Sequence, residues 1–182
     1  MIRIKLSGVA LAMLLSAAAP AVAQTAPPPP PADAKTNASA YVMAAGASDQ
    51  YEIQSSQIAE SKSTNPAVKR FAAMLIADHQ KTTAATMKAA AKAGLPPMTP
   101  TLDPGAAPSI AELNNASPAD FDRLYIGQQI PAHQAALDLH QSYAANGDQP
   151  ALRMSAKAAI SPVMKHLTAA ENLQKNMRAK GM

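Results

Sequence analysis

Two similar breaks containing proline divide most of this 182-residue chain into long helical stretches. Residues 65–69 read NPAVK and residues 149–153 read QPALR. Proline is favoured at the first position of a helix, because the N–H that it lacks would have no partner there, and the residue before it can cap the helix. Each break therefore predicts a tight turn between two helices.

These breaks and other stop signals predict four helices. In chain order they cover about residues 36–62, 66–93, 117–147 and 150–180. Gly94, followed by two prolines, ends the second helix. Ser117 is a cap for the third, with Pro118 at its first position. The connection over residues 95–116 is rich in proline and predicts no more than a short turn at residues 109–113.

The lengths of the connections predict how the helices are joined. A connection of about twenty residues can span a helix some 40 Å long when it is extended. Two hairpins joined by one such crossover form the ferritin-like topology. Aromatic side chains make up only 3% of the chain, which favours helix packing over sheets. We therefore predict an all-α fold, a ferritin-like four-helix bundle of two helical hairpins joined by a long crossover.

The N-terminal residues have the pattern of a secretory signal. Arg3 and Lys5 precede an apolar run over residues 6–19, and residues 21–23 read AVA, a typical cleavage motif. We expect cleavage after Ala23 and a periplasmic or secreted protein without disulfides, since the chain has no cysteine. The predicted regions are a signal peptide at 1–23, a proline-rich flexible linker at 24–35 and the helical bundle at 36–180.

The linker and the charge of the chain bear on partners. Residues 27–31 are all proline and predict an extended, disordered spacer. Removal of Arg3 and Lys5 lowers the formal charge from +4 to +2, which gives no basis for nucleic-acid binding. We predict no transmembrane segment after signal cleavage. The predicted compartment is the only basis for expecting an envelope protein or a polysaccharide as a partner.

Four ionisable residues lie near the midpoints of the four predicted helices. At about 100° per residue, Glu52, His79 and His133 face inward within the apolar arc of their helices, and His166 lies toward the edge of its arc. Each lies roughly a dozen residues from a hairpin turn, so all four are expected at one level of the bundle. Ionisable groups that face a core are costly unless they are paired or bind a metal.

Two further inward residues lie too far along the third helix to join this group. Asp122 and His140 lie roughly 16 Å and 10 Å from His133 at a rise of 1.5 Å per residue. We predict that Asp122 pairs with a basic residue at the end of the bundle. We predict that His140 is an interior histidine with an ordinary hydrogen-bond partner.

Two interpretations of the four mid-bundle residues remain open. Imidazole and carboxylate suit iron, zinc, copper or manganese, so Glu52, His79, His133 and His166 are candidate ligands of one transition-metal ion. Di-iron bundles place Glu-x-x-His on two helices, which the residues before these histidines do not match. The alternative is a buried hydrogen-bond network, which we favour because buried polar groups usually find ordinary partners.

Two prolines lie just before two of the histidines. Pro131 precedes His133 by two residues and Pro162 precedes His166 by four. A proline inside a helix frees the carbonyl four residues earlier. The carbonyls near Gly127 and Ala158 are therefore candidates to orient an imidazole or a water. The alternative, which the sequence supports equally, is that the kinks only fit the packing of the bundle.

Taken together, several motifs resemble an exported bacterial family described as domain of unknown function 4142. The motifs are NPAVKRF at 65–71, DHQK at 78–81, FDRLY at 121–125, HQ at 133–134, and Pro162 with HL at 166–167. The resemblance covers about residues 38–177 and implies a ferritin-like fold. It places the family's motif positions on Glu52, His79, Asp122, His133 and His166. It implies no activity.

The sequence therefore favours a periplasmic, non-enzymatic envelope or stress-associated module whose histidines organise its core. The alternative is a metal-binding or metal-redox protein with a mononuclear His/Glu site in the bundle core.

Overall fold

The computed structural model describes residues 25–179, and every regular element in that range is helical. The helices are α1 (Ala38–Lys62), α2 (Pro66–Lys92), α3 (Ala107–Asn115), α4 (Phe121–Asn146) and α5 (Pro150–Ala179). The all-α prediction is confirmed. No helix in this range is both long and apolar enough to cross a membrane. The predicted signal peptide lies outside the described residues.

Side-chain caps fix the starts of the first two long helices. The Asn37 side chain accepts a hydrogen bond from the N–H of Ala40, and Asn65 accepts one from Ala67, both at 3.0 Å. The prediction that Asn65 caps the second helix is confirmed. After α2, Gly94 adopts a φ of +76°, which an L side chain would rarely accept.

The crossover between α2 and α4 differs from its prediction in two ways. Its central turn is a nine-residue helix, α3, longer than the five-residue turn expected. The predicted start of the next helix at Pro118 was wrong, because α4 begins at Phe121. The Ser117 hydroxyl accepts the Asp120 N–H at 3.2 Å and donates to the Asp120 carboxylate at 2.7 Å. This exchange closes a turn ahead of the helix.

The four long helices form a helical bundle around a polar middle layer. Helix α1 packs against α2 and α4, and α5 packs against the same two helices. One apolar cluster lies at the end that contains Phe71 and Phe121, and a second lies at the end that contains Tyr41 and Leu152. The histidines of the middle layer, His79, His133 and His166, lie between these clusters. An apolar layer therefore closes the polar layer at each end.

The crossover returns across α1 at a position where only glycine fits. A Cβ built on the buried Gly46 would overlap the ring of Pro100. Pro100 is part of the segment that links α2 to α3. This close approach holds the crossover against the bundle.

We expect Gly46→Ala to lower the free energy of unfolding by about 1–3 kcal/mol, because a proline ring cannot rotate away from the added methyl group. Urea denaturation of the apoprotein measures this loss. Met43→Ala is the control on the same helix, since Met43 is 39% exposed and its removal should cost less than about 0.5 kcal/mol. Equal losses in the two variants would contradict the assigned contact.

The described part of the proline-rich segment lies against the helices, unlike the free spacer that its composition predicts. Thr25 donates to Glu112 from its hydroxyl at 2.8 Å. Residues 27–31 line a small cavity with α1 and α4, and Ala34 is fully buried. The Lys35 ammonium lies 2.7 Å from the Asp138 carboxylate. The segment packs because the bundle offers it a groove, which composition alone does not reveal.

Candidate metal centre

Three of the four predicted site residues converge in the polar middle layer. His79 on α2, His133 on α4 and His166 on α5 have ring centroids 5.3–5.6 Å apart. One ligand nitrogen from each ring lies within 4.8 Å of those of the other two. All three side chains are buried, with at most 3% of their surface exposed. Counting residues from the hairpin turns therefore placed these histidines at one level correctly.

Asp49 on α1 anchors the far side of the His79 ring. The His79 Nδ1 lies 2.7 Å from the Asp49 carboxylate, which accepts the Nδ1–H. The other carboxylate oxygen accepts hydrogen bonds from the hydroxyls of Thr82 at 3.0 Å and Thr83 at 2.7 Å. These bonds fix the orientation of the ring and leave Nε2 facing the other two histidines.

A backbone carbonyl anchors His133. Its Nδ1 donates to the carbonyl oxygen of Gln129 at 2.9 Å, one turn earlier on α4. A carbonyl can only accept, so Nδ1 carries the proton and the neutral ring presents a lone pair at Nε2. The candidate carbonyl near Gly127 does not hold this ring, because the ring folds back onto Gln129.

Asp78 anchors the third ring from the surface side. The His166 Nε2 donates to the Asp78 carboxylate at 3.2 Å. The other oxygen of Asp78 accepts from the ammonium of Lys81 at 3.0 Å. The Asp78 side chain is 30% exposed, so this anchor reaches solvent.

The ring nitrogen opposite each anchor has no hydrogen-bond partner among the described residues. These nitrogens are His79 Nε2, His133 Nε2 and His166 Nδ1, and all three are buried. Hydrogen bonds among the described residues therefore leave these three nitrogens unaccounted for. Buried ring nitrogens without partners are costly unless a proton or a cation lies among them.

The charges around the rings set their protonation. Burial holds the pKa of His133 at about 3, and burial also lowers the pKa of His166. Burial opposes protonation of His79 too, but the hydrogen bond and charge of Asp49 outweigh it and raise the pKa of His79. The hydrogen bond from Lys81 lowers the pKa of Asp78. At neutral pH at least two of the three rings are therefore neutral and able to bind a metal.

Glu52 lies beside this group and outside the cluster of three histidines. Its Oε1 is 3.6 Å from the Nδ1 of His133, the nitrogen that faces away from the other rings. Both carboxylate oxygens are buried and make no close hydrogen bond within residues 25–179, although the Gln129 side chain lies near enough to lower the pKa of Glu52. Burial raises the pKa of Glu52 to about 8. Glu52 is thus the third carboxyl group around the histidines, after Asp49 and Asp78.

The donor set has the character of a transition-metal site. A three-coordinate ion with bonds of about 2.0 Å holds its ligand nitrogens about 3.5 Å apart, so the observed separations need only small inward movements. Metal-binding histidines usually donate their second N–H to a carboxylate or a backbone carbonyl. All three rings do so here. The residues present therefore fit one ion bound by three imidazoles.

The two other polar residues singled out by sequence lie apart from this centre. The His140 Nδ1 lies 3.0 Å from the Tyr41 hydroxyl, so the prediction of a partnered interior histidine is confirmed. Asp122 has one buried oxygen, Oδ1, without a hydrogen-bond partner among the described residues. Asp122 lies at the N-terminal end of α4, whereas His140 lies near its C-terminal end.

We expect acidification to destabilise the apoprotein partly through His140. Burial lowers its pKa from 6.5 to about 4, so its contribution to stability is complete above pH 6.5 and is lost as pH falls toward 4. The loss is at most about 3 kcal/mol. His140→Asn keeps an acceptor for Tyr41 and cannot titrate, so its unfolding free energy should vary less with pH across this range. An unchanged slope in urea denaturation, relative to the exposed control Gln134→Asn, would contradict this assignment.

Sequence reasoning missed Asp49 as part of the centre. Asp49 lies three residues before Glu52, so the two carboxylates lie on one side of α1. The pair Thr82 and Thr83 on the facing helix was a second signal, because adjacent hydroxyls can hold a buried carboxylate.

Comparison with known proteins identifies a family and three structural neighbours. A family model described as "Domain of unknown function (DUF4142)" matches residues 22–173. No curated protein matches the sequence. Solved structures with a similar fold are of CopM, in a Cu(II)-bound, a Cu(I)-bound and a silver-bound form.

These neighbours are similar in fold across nearly their whole length. The Cu(II)-bound structure has a TM-score of 0.65 and 19% identity, and the match covers 77% of this chain and 97% of that one. The Cu(I)-bound form gives 0.63 and 19%, and the silver-bound form 0.63 and 20%, each covering 77% of this chain and 96% of the other.

Proposed function

We propose that this chain, which belongs to the DUF4142 family, is a periplasmic protein that binds one transition-metal ion through His79, His133 and His166. The observation that carries the proposal is the set of three buried ring nitrogens without partners. Each faces the others while its ring is held from behind by a hydrogen bond. A metal ion is the Lewis acid that satisfies all three lone pairs at once.

Copper is the first candidate for this ion. Imidazole nitrogens bind copper, zinc, iron and nickel, and copper has the highest affinity for such donors among the divalent first-row metals. The structural neighbours with a similar fold are described in copper-bound and silver-bound forms. The carboxylates of Asp49 and Asp78, which hold two of the rings, favour a cation at the centre.

The wider architecture fits a binding protein. We assign the long helices to a ferritin-like four-helix bundle, with α3 as part of the crossover between the two hairpins. The N-terminal residues have the pattern of a secretory signal, which supports a periplasmic location. The histidines are at most 3% exposed, so a centre that holds or transfers the ion fits them better than one that binds a substrate beside it.

The test is a copper titration of untagged protein purified from the periplasm. Competition with a chromogenic chelator gives the stoichiometry and affinity for Cu(I) and Cu(II). We expect one high-affinity equivalent in the wild type. The triple variant His79→Asn/His133→Asn/His166→Gln keeps a donor toward each anchor and removes every inward nitrogen, so it should lose that equivalent.

Zinc and silver, titrated in the same way, show whether the preference is for copper. Unfolding in urea without metal confirms that the triple variant is folded. A wild type that takes up no metal, or a folded triple variant that retains the tight equivalent, would overturn the proposal.

A further inference from the structure

The three anchors differ in how firmly they hold their rings. Asp49 is buried, lies 2.7 Å from His79 and is itself held by two threonine hydroxyls. The Gln129 carbonyl that holds His133 belongs to the helix backbone. The bond from His166 to Asp78 is the longest of the three, at 3.2 Å, and it ends on a side chain that is 30% exposed.

The helix that carries His166 is interrupted by a proline, as is the helix that carries His133, but His133 is anchored by the helix backbone itself and His166 by a side chain. Pro162 lies inside α5, four residues before His166. It has no N–H to bond the carbonyl of Ala158, so one hydrogen bond of the helix is missing there. Helix turns with a missing bond yield more easily to local movement.

The two sides of the bundle differ in what covers them. On the side formed by α1 and α4, residues 27–31 lie over a small cavity that Tyr51 also lines. On the side formed by α2 and α5, a surface groove of about 470 Å³ begins at Lys81 and Thr82. Asp78 and Lys81 lie one turn apart on this side. Asp78 is 30% exposed and accepts the hydrogen bond from His166, so it links the solvent to the three histidines.

We propose that Asp78 and His166 form the gate through which metal reaches the three-histidine centre. Asp78 is the first carboxylate that an incoming cation meets. His166 swings outward when its bond to Asp78 opens, then returns and presents Nδ1 to the ion. His79 and His133 stay fixed by their buried anchors. This inference rests on the proposed metal binding and names the route to that site.

Lys81 has a definite role in this gate. Its ammonium occupies one oxygen of Asp78 and is 75% exposed, so it competes with an incoming cation for the same carboxylate. Removing Asp78's charge should slow metal capture, and removing the charge of Lys81 should speed it. Both changes lie outside the set of metal ligands.

Stopped-flow capture of Cu(II) at low ionic strength tests the gate. We expect Asp78→Asn to lower the association rate constant by about tenfold, since a single carboxylate steers the cation at close range. Lys81→Met should raise it severalfold. Glu60→Gln is the matched control, an exposed acid on α1 near the far end of the bundle. Its rate should equal the wild type.

A second readout does not need metal. Nitrogen-15 NMR of the imidazoles in the apoprotein should show exchange broadening for His166 and sharper signals for His79 and His133. Unchanged association rates in Asp78→Asn and Lys81→Met, or greater mobility at His79 than at His166, would overturn the gate. A wild type that takes up none of the metals titrated would refute the proposed function instead, and the NMR comparison would still decide the mobility of His166.

Discussion

Replacing His79 by asparagine is expected to lower the affinity for copper by more than about 100-fold, because even the partners that orient a metal ligand are worth about 10- to 100-fold. The asparagine amide can take the place of Nδ1 and donate to Asp49, so the variant loses the inward Nε2 and keeps the anchor. Chelator competition measures the affinity. The loss of affinity should appear mainly as a higher dissociation rate constant and only slightly as a lower association rate constant.

His140→Asn is the matched control for this substitution. His140 is also a buried histidine, it lies in the same bundle, and its Nδ1 has a partner in Tyr41. The same replacement there should leave copper affinity unchanged within about twofold of the wild type. Similar affinity losses in the two variants would show that the bundle responds to any buried histidine change and would remove the special role of His79.

Replacing Asp49 by alanine is expected to produce the largest loss of stability, about 3 kcal/mol in the apoprotein. The change leaves the His79 Nδ1–H and the hydroxyls of Thr82 and Thr83 without their shared acceptor in a buried site. It should also weaken copper binding by about 10- to 100-fold, because the ring loses its orientation. Urea denaturation and copper titration measure the two effects separately.

Asp49→Asn separates geometry from charge. The asparagine oxygen still accepts from His79, so stability should fall by less than in the alanine variant. The negative charge that raises the pKa of His79 is gone, so copper binding at pH 5–6 should suffer less from proton competition than in the wild type. An Asp49→Ala variant with wild-type stability and affinity would contradict the anchor assigned to this residue.

Much of the fold follows from local signals in the sequence. Asn65 and Pro66 predict a helix start because the Asn65 side chain caps the first turn and Pro66 lacks the N–H that would have no partner there. Neither effect depends on distant residues. The level of the histidines follows from a constant rise per residue. Both predictions depend only on properties within a single helix. They therefore hold without knowledge of how the helices pack.

The parts that could not be predicted depend on contacts between elements. Glu52 lies on the predicted face of α1, but its carboxylate lies next to the Nδ1 of His133, the nitrogen that faces away from the other rings. A helical wheel gives the face of a residue and not the rotamer of its side chain. The packing of residues 27–31 requires the groove between α1 and α4. The unpartnered nitrogens that favour a metal over a network emerge only when all three rings are in place.

The most direct measurement of the central claim is anomalous diffraction at the copper edge from crystals of the copper-loaded protein. The account predicts one strong peak enclosed by His79 Nε2, His133 Nε2 and His166 Nδ1, at about 2.0–2.1 Å from each nitrogen. Asp49, Gln129 and Asp78 should still hold the three rings from behind. A strongest peak at the exposed Met154 or Met164, or on the carboxylate of Glu52 with the three rings turned apart, would contradict it.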